Sequence, residues 1–314
     1  MRNDRWRWVV ALMTALLLVG AACGGGNEGE DEATGTGSAT EGEAGGEVEE
    51  FPANTTMGKI QQKGELIAGV KYDVPPFGFE DPQTGDIKGF DVDIAQEIAD
   101  RLGVELNPIE AISDNRIPFL KDGTVDIVAS TMTITTDRDV EIDFSEPYYI
   151  AHGRILVSKD TTGIETLADL KGKSACTALG STYEGLLKDA GGIDIQLPDT
   201  YSECYELIQN GAVDAVVTDD VILTGMIIQD DSLHLVGEEL TVEPYGIGVP
   251  EGDTEMKEFV DGVLQELYDD GTYDEIYQEW VGQYLGTETP IPDMSLDEAL
   301  KLRPCEELCD QVKK

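Results

Sequence analysis

The chain has 314 residues, of which 21 are Lys or Arg and 64 are Asp or Glu, so its formal net charge is −43. This excess of acids argues against nucleic acid and anionic lipid surfaces as partners, because both are bound mainly through Lys and Arg. A hydrophobic share of 40% excludes wholesale disorder, and the length favours two lobes or one large domain.

Residues 1–22 resemble a bacterial lipoprotein signal peptide. Arg2, Arg5 and Arg7 precede an apolar run, 9–19, that is too short for a comfortable membrane span. Three small residues follow, and then Cys23. Gly20 stands where lipoprotein signals prefer leucine, so a secretory signal with a chance cysteine is the alternative. We expect removal of 1–22 and lipidation of Cys23.

Residues 23–50 are predicted to form a flexible, lipid-anchored tether. The stretch 24–50 is rich in glycine and holds nine acids with neither Lys nor Arg, a composition that cannot bury enough surface to fold. The signal carries +2 and the tether −9, which leaves −36 on residues 51–314. The part that is predicted to fold is therefore strongly acidic in its own right.

Four cysteines remain beyond the anchor, and in an exported protein they favour two disulfides. The preferred pairing is Cys176–Cys204 with Cys305–Cys309, although sequence alone does not fix the connectivity. The second pair closes a small, easily strained loop, so a dimer link and free thiols stay open for it. No histidine lies close enough in the chain to complete a zinc site, and neither a metal nor a cofactor is expected.

From residue 51 onward, strand and helix patterns alternate, which favours βα units and mostly parallel sheets. The first short apolar run, 65–70, predicts a strand. Residues 91–102 predict a helix with an apolar stripe, with Asp91 as a possible cap and Gly103 as the stop.

An internal echo predicts two lobes with the same local plan. Residues 120–131 read LKDGTVDIVAST and residues 208–219 read IQNGAVDAVVTD. Each predicts a helix end, a glycine in the left-handed conformation and a buried strand. The polar residues at the ends of both strands would lie where open α/β sheets bind ligands.

Two extended runs, 148–158 and 240–250, predict two crossings between the lobes and hence a hinged cleft. The first lobe is expected to comprise 51–151 and 248–286, and the second lobe 152–247. The tail, 287–314, is predicted to contain a short helix after a capping box of Ser295 and Glu298, and no function is assigned to it.

Long segments of the chain resemble family 3 of the extracellular solute-binding proteins, which serve ABC importers of polar amino acids. They read GVKYDVPPFGF (69–79), DNRIPFLKDGTVDIVASTMTITTDRDV (114–140), LADLKGKSACTALGST (167–182) and DGTYDEIYQEW (270–280). The resemblance covers about 57–285 and is greatest to the glutamate-binding lipoproteins of actinobacteria. It implies an α/β, type II periplasmic-binding-protein-like fold, whose two lobes are joined by two hinge strands and close on one amino acid.

A free amino acid carries an ammonium and a carboxylate, and each must meet an opposite charge when it is buried. Arg138 suits the carboxylate, because its planar fork matches two oxygens. The resemblance implies this role, with Thr131 and Thr133 beside it. The alternative is a surface arginine paired with neighbouring acids.

The ammonium and further carboxylate contacts are expected from the second lobe. Asp219 follows a buried strand and is the best ammonium partner, with Asp220 as its competitor and a helix cap as the alternative role. Ser181 and Thr182 precede a helical pattern, so their hydroxyl and N–H groups would add donors for the carboxylate.

Two cations are expected to read the side chain of the ligand. Lys71 stands where relatives that bind glutamine or basic amino acids have an acid, and Arg116 matches the arginine of the glutamate type. Together they favour a second carboxylate, with Ser113 assisting. The alternatives are a surface lysine and an Arg116 that pairs with Asp114 or Asp86.

Two aromatic residues complete the expected ligand-binding set. Phe90 resembles the family's aromatic wall beside the ligand, with ordinary core packing as a nearly equal alternative. Tyr201 could contribute a hydroxyl from the second lobe. Val74 replaces a second aromatic residue that several relatives have, which suits a short acidic ligand.

The predicted function is a monomeric substrate-binding lipoprotein on the outer face of the cell membrane. It would capture extracellular glutamate, with aspartate or glutamine as alternatives, and deliver it to an ABC permease. The two histidines, His152 and His234, lie outside the motifs, and no Ser-His-Asp arrangement supports an enzyme. Cyclohexadienyl or arogenate dehydratases, lytic transglycosylases and sensor modules on the same fold are the alternatives.

Overall fold

The computed structural model describes residues 48–302. The predicted signal peptide, the tether up to residue 47 with Cys23, and the second cysteine pair, Cys305 and Cys309, lie outside the described residues. Within 48–302, no helix is both long enough and apolar enough to cross a membrane.

The chain alternates between strands and helices along its described length. The first segment contains α1 (Thr56–Lys63), β1 (Glu65–Val70), β2 (Asp73–Val74), β3 (Gly78–Glu80), β4 (Ile87–Lys88), α2 (Phe90–Leu102), β5 (Glu105–Glu110), α3 (Arg116–Asp122), β6 (Ile127–Val128), α4 (Thr136–Asp139) and β7 (Asp143–Phe144). The second contains β8 (Tyr149–Ser158), a 3₁₀ turn (Leu167–Leu170), β9 (Ser174–Cys176), α5 (Thr182–Ala190), β10 (Asp194–Gln196), α6 (Tyr201–Gln209), β11 (Ala215–Asp219), α7 (Asp220–Gln229), β12 (Leu233–Val236) and β13 (Val242–Tyr245). The third contains β14 (Gly248–Val249), α8 (Thr254–Asp270), α9 (Thr272–Tyr277), a π turn (Gln278–Gly282), α10 (Gln283–Leu285) and α11 (Leu296–Leu302).

The first lobe is built on a five-stranded sheet in the order β5-β1-β6-β14-β7. The strands β5, β1 and β6 are parallel, whereas β14 returns from the second lobe and pairs antiparallel with β6 and β7. Helix α2 packs on β1 and β5, and α8 and α9 pack on α2. The final helices thus return to the first lobe, as the two predicted crossings require.

The second lobe is built on β10-β9-β11-β8-β12, and β8 connects it to the first lobe. The amino half of β8, 149–152, pairs antiparallel with β13, whereas its carboxyl half pairs with β11 and β12. The two strands β8 and β13 therefore form the connection between the lobes. This is the expected type II periplasmic-binding-protein-like fold with two hinge strands.

The internal echo has the predicted structure in both lobes. Gly123 and Gly211 both adopt the left-handed conformation, with φ of 75° and 66°, and each precedes a buried strand, β6 or β11. Since both strands run toward the space between the lobes, Thr131 and Asp219 line the same cavity.

The Cys176–Cys204 disulfide, which the sequence favoured, is present in the second lobe, with a Cα–Cα distance of 5.6 Å. Cys176 ends β9, and Cys204 lies in α6. The bridge therefore ties α6 to the central sheet of this lobe.

Candidate functional site

A small cavity lies between the two lobes. Its walls include nine of the eleven residues that the sequence predicted for ligand binding. The lining residues are Ser113, Arg116, Thr131, Thr133, Arg138, Ser181, Thr182, Tyr183, Tyr201, Asp219 and Ile222. The structure thus brings distant motifs together at one place, with the cations on the first lobe and the carboxylate on the second.

Arg138 spans the gap between the lobes. Its guanidinium donates one hydrogen bond to the carbonyl of Thr133 at 2.7 Å and another to the carbonyl of Gly180, in the second lobe, at 3.1 Å. The short helix α4 that carries it is capped by Thr135, whose hydroxyl accepts from the Arg138 N–H. The planar fork of Arg138 therefore has a fixed orientation at the cavity wall.

Thr131 has an unusual backbone conformation at this wall, with φ of 44°. Left-handed geometry is rare for a β-branched residue and costs about 1–3 kcal/mol. Two buried contacts hold it: its N–H donates to Asp91 at 2.8 Å, and its carbonyl accepts from Arg116 at 3.1 Å. The strained residue lies at the site itself, which is where such geometry clusters.

The role of Asp91 differs from the predicted helix cap. Gly89 is the N-cap of α2, and Asp91 lies within the helix, fully buried. Its carboxylate accepts hydrogen bonds from the Thr131 N–H and, at 2.7 Å, from the Tyr148 hydroxyl. Burial raises the pKa of Asp91 to about 7. Asp91 is therefore a buried support for the cavity wall.

Asp219 is the carboxylate of the second lobe. It ends β11, is 4% exposed, and accepts a hydrogen bond of 2.6 Å from the Tyr183 hydroxyl. Burial raises its pKa to about 6, against the opposing effects of this hydrogen bond and of Arg116. A cation brought next to Asp219 would stabilise the ionised form.

Lys71 is buried rather than on the surface, so the alternative of a surface lysine is wrong. It follows β1, is 1% exposed, and its ammonium donates to the Ser113 hydroxyl at 2.9 Å and lies 5.7 Å from the centre of the Tyr201 ring. It is not itself a lining residue, but it reaches the cavity through Ser113. Burial, with the charges of Arg116 and Arg138, lowers the pKa of Lys71 to about 7, although Asp73 and Glu110 oppose this shift.

Arg116 is fixed by backbone carbonyls and not by Asp114 or Asp86. It begins α3, is 3% exposed, and donates to the carbonyls of three residues, Ser113 at 3.2 Å, Ser130 at 2.8 Å and Thr131 at 3.1 Å. Burial and the neighbouring Arg138 lower its pKa to about 9, so it stays protonated at neutral pH. These carbonyls offset its charge only in part, which leaves it suited to an anion.

The aromatic predictions have different outcomes in the structure. Phe90 is fully buried in an aromatic cluster with Phe77, Tyr148 and Tyr273, and does not line the cavity. Its placement therefore matches the alternative of core packing. Tyr201 does line the cavity, and its hydroxyl accepts from Thr218 at 2.7 Å.

The lobes also touch outside the cavity. The carboxylate of Asp73, on β2, accepts from the N–H groups of Tyr201 and Ser202, at 2.8 and 3.0 Å, which open helix α6 of the second lobe. A Cβ atom added to Gly225 would lie 1.8 Å from the Pro75 carbonyl oxygen. Such close approach between elements of different lobes identifies this as a closed arrangement.

The chemistry of the cavity is that of a binding site for a small, charged molecule. Three cations and the carboxylate of Asp91 lie on or behind one wall, and the carboxylate of Asp219 lies on the other. Within 48–302, no group of three or more His, Cys, Asp or Glu side chains is arranged to hold a metal ion. The walls can therefore hold a molecule that is anionic toward the first lobe and cationic toward the second.

Comparisons with known proteins show what this chain is similar to. The sequence matches the bacterial extracellular solute-binding proteins, family 3, over residues 66–283. It is 38% identical to the glutamine-binding protein of Geobacillus stearothermophilus over 254 residues, which are 79% of this chain and 94% of that protein. It is 35% identical to the glutamate-binding protein GluB of Corynebacterium efficiens over 237 residues, 71% of this chain and 80% of that protein.

A solved structure is similar over most of the described chain. It is that of an ancestral arginine-binding protein bound to glutamine, with 40% identity and a TM-score of 0.67. The match covers 70% of this chain and 98% of that one.

Proposed function

Since the chain belongs to the bacterial extracellular solute-binding proteins of family 3, we propose that it captures a free amino acid, glutamate above all, for an ABC importer. The observation that carries this proposal is the division of charge across the cavity: Lys71, Arg116 and Arg138 on the first lobe, and Asp219 on the second. An α-amino acid with an acidic side chain has two carboxylates for the first wall and one ammonium for the second.

In the proposed complex, Arg138 binds the α-carboxylate, with Thr131 and Thr133 beside it and the N-terminal residues of α5, Ser181 and Thr182, opposite. Asp219 binds the α-ammonium. Its bond from Tyr183 fixes the orientation of the carboxylate before the ligand arrives. Each buried charge of the ligand then has a charged partner, which offsets its loss of hydration.

Lys71, Arg116 and Ser113 would bind the distal carboxylate. Lys71 already donates to Ser113, and Arg116 is held by carbonyl oxygens that offset its positive charge only in part. This local excess of positive charge favours glutamate, with aspartate or glutamine as alternatives. A cationic side chain would be repelled.

We propose a cycle of capture and delivery. The ligand bridges the lobes, closure is favoured because the closed state makes more contacts with it, and the closed form docks on a permease. Lipidation at Cys23, which lies outside the described residues, would hold the monomer on the outer face of the membrane.

The decisive experiment is calorimetric titration of the purified protein with the twenty amino acids, and with a prephenate-like compound to test for turnover by a dehydratase. We expect glutamate to bind most tightly, followed by aspartate or glutamine. Preferential binding of lysine, arginine or only apolar amino acids would contradict the proposal. Turnover of the prephenate-like compound would favour the enzyme alternative.

Asp73→Ala is expected to weaken the affinity for both glutamate and glutamine, by about 5- to 20-fold, because loss of two charge-assisted hydrogen bonds disfavours closure. The measurement is calorimetry together with the radius of gyration from X-ray scattering, which we expect to rise. The matched control is Asp86→Ala, which removes an exposed acid near the β3–β4 turn. Equal affinities for the two variants would show that the contact does not contribute to closure.

A further inference from the structure

The C-terminal segment beyond the family match packs on the first lobe. Its helix α11 places Ala299, which is 0% exposed, in a core cluster of the first lobe. Leu296 and Leu300 pack against the same cluster from the helix. The segment is therefore an integral part of the first lobe, although the family match ends at residue 283. The proposed function gives the segment no role.

The cluster under α11 includes the reverse face of a cavity wall. Thr131 and Thr133 line the cavity, whereas Met132 and Ile134, which alternate with them, belong to the same cluster as Ala299. Thr133 forms an isolated β-bridge with Tyr245, and side chains alternate where the backbone is extended in this way. Residues 131–134 thus contribute two side chains to the cavity wall and two to the cluster on which α11 packs.

A hydrogen bond connects α11 directly to the helix that carries Arg138. The Thr136 hydroxyl, in the first turn of α4, donates to the carbonyl of Leu300 at 3.0 Å. At the other end of α11, the Leu296 N–H donates to the Glu146 carboxylate at 2.7 Å. The predicted capping box is also formed, since the Ser295 N–H donates to the Glu298 carboxylate at 2.9 Å and the Glu298 N–H donates to the Ser295 hydroxyl at 3.3 Å.

We propose that α11 is a positioning element of the ligand site, which holds residues 131–138 in the geometry that binds the α-carboxylate. Leu300 and Ala299 are its positioning residues. The inference rests on the proposed function, because it assigns the carboxylate to Arg138, Thr131 and Thr133. Thr131 is strained, and a strained wall persists only where its surroundings over-determine it.

The test compares two leucines of the same helix. Leu300→Ala removes a side chain that packs on the cluster, whereas Leu302→Ala removes one that is 44% exposed. In Leu300→Ala we expect the glutamate affinity to fall on the order of tenfold, and amide hydrogen exchange to accelerate within 131–138 before any other part of the first lobe. Leu300→Met, which conserves volume, should restore both, and Leu302→Ala should match the wild-type protein.

Two outcomes would overturn the proposal, with affinity and exchange measured at a temperature where circular dichroism shows the compared variants folded. A Leu300→Ala protein with the affinity and local exchange of Leu302→Ala overturns it. Exchange that accelerates equally throughout the chain also overturns it, because α11 would then be a general stabiliser. If Leu300→Ala does not fold, Thr136→Val, which removes the hydroxyl that donates to Leu300, replaces it.

Hydrogen exchange tests the role of α11 independently of the proposed function, because it does not require a bound ligand. A wild-type protein that binds no amino acid would contradict the proposed function. In that case local exchange in 131–138 still reports whether α11 holds the segment. A wild-type protein that binds glutamate, with a Leu300→Ala variant unchanged in both readouts, would overturn only the role of α11.

Discussion

Arg138→Ala is expected to abolish binding of every amino acid, with an affinity loss of about 100-fold or more, because truncation leaves the α-carboxylate buried without its partner. The same substitution removes the hydrogen bond from Arg138 to Gly180 across the lobes. All amino acids share the α-carboxylate, so the loss should be the same for glutamate, aspartate and glutamine. Calorimetry with the three ligands measures it.

The matched control for this prediction is Arg101→Ala. Arg101 lies on α2 in contact with Glu97 and Glu266, on the outside of the first lobe, so its loss also raises the net negative charge by one. We expect its ligand affinities to equal those of the wild-type protein. If Arg138→Ala also binds normally, the site has been placed at the wrong residues.

The affinity for glutamate should depend on pH in a way that the affinity for glutamine does not. Lys71 has a lowered pKa of about 7, so it loses its proton as the pH rises through that value. A distal carboxylate needs the protonated form, and the glutamate affinity should therefore fall toward tenfold per pH unit above pH 7. Glutamine has no charge on its distal amide, and its affinity should stay constant between pH 7 and 8, below the pH at which the α-ammonium of either ligand loses its proton.

The acid side of the profile should be common to both ligands. Asp219 has a raised pKa of about 6, so it becomes neutral as the pH falls through that value. The α-ammonium needs the ionised carboxylate, and both affinities should decline below pH 6. Glutamate binding is thus expected to be tightest between pH 6 and 7.

Lys71→Met separates the two limbs of the profile. It should remove the decline of the glutamate affinity at alkaline pH and weaken that affinity by about 10- to 100-fold at pH 6.5. The affinity for glutamine should be largely unchanged. Lys88→Met, which replaces a lysine paired with Asp81 at the surface, is the control. A glutamate profile that still falls above pH 7 in Lys71→Met would assign the titration to another group.

Much of the site could be predicted because its residues follow recognisable local patterns. Thr131 and Asp219 end a repeated helix–glycine–strand unit, and in open α/β sheets ligands bind at such strand ends. The family resemblance then supplied Arg116 and Arg138, and all four line the cavity. The residue boundaries of the lobes and the binding roles stay predictions.

Other parts of the site depend on packing that a local pattern does not reveal. Tyr183 and Ile222 lie on helices beside Thr182 and Asp219, and in sequence they look like ordinary core residues. Asp91 did carry a signal: it is four residues before Ala95, on the apolar stripe of its helix. An acid on such a stripe indicates a buried partner, which here is the N–H of Thr131.

Net charge and local charge diverge in this protein. The chain carries −36 over residues 51–314, yet Lys71, Arg116 and Arg138 make the first wall of the cavity positive. Salt screens interactions between exposed charges beyond roughly 10 Å, so the acidic surface has little effect on a ligand at the site. In the proposed function, selectivity depends on these three cations, of which Lys71 and Arg116 are buried, and not on the overall composition.

Because the cavity walls belong to different lobes, ligand capture would take place in two successive steps. In an opened form, a passing amino acid meets the Arg138 wall and the Asp219 wall as separate surfaces, and only a molecule with both ends intact can join them. A dicarboxylate without an amino group would then bind to the first lobe, but the lobes would not close on it. An amine without a carboxylate would not bind to the first lobe. Binding to the first lobe would thus require the carboxylate, and closure would require the ammonium. The permease would receive only a ligand that carries both groups.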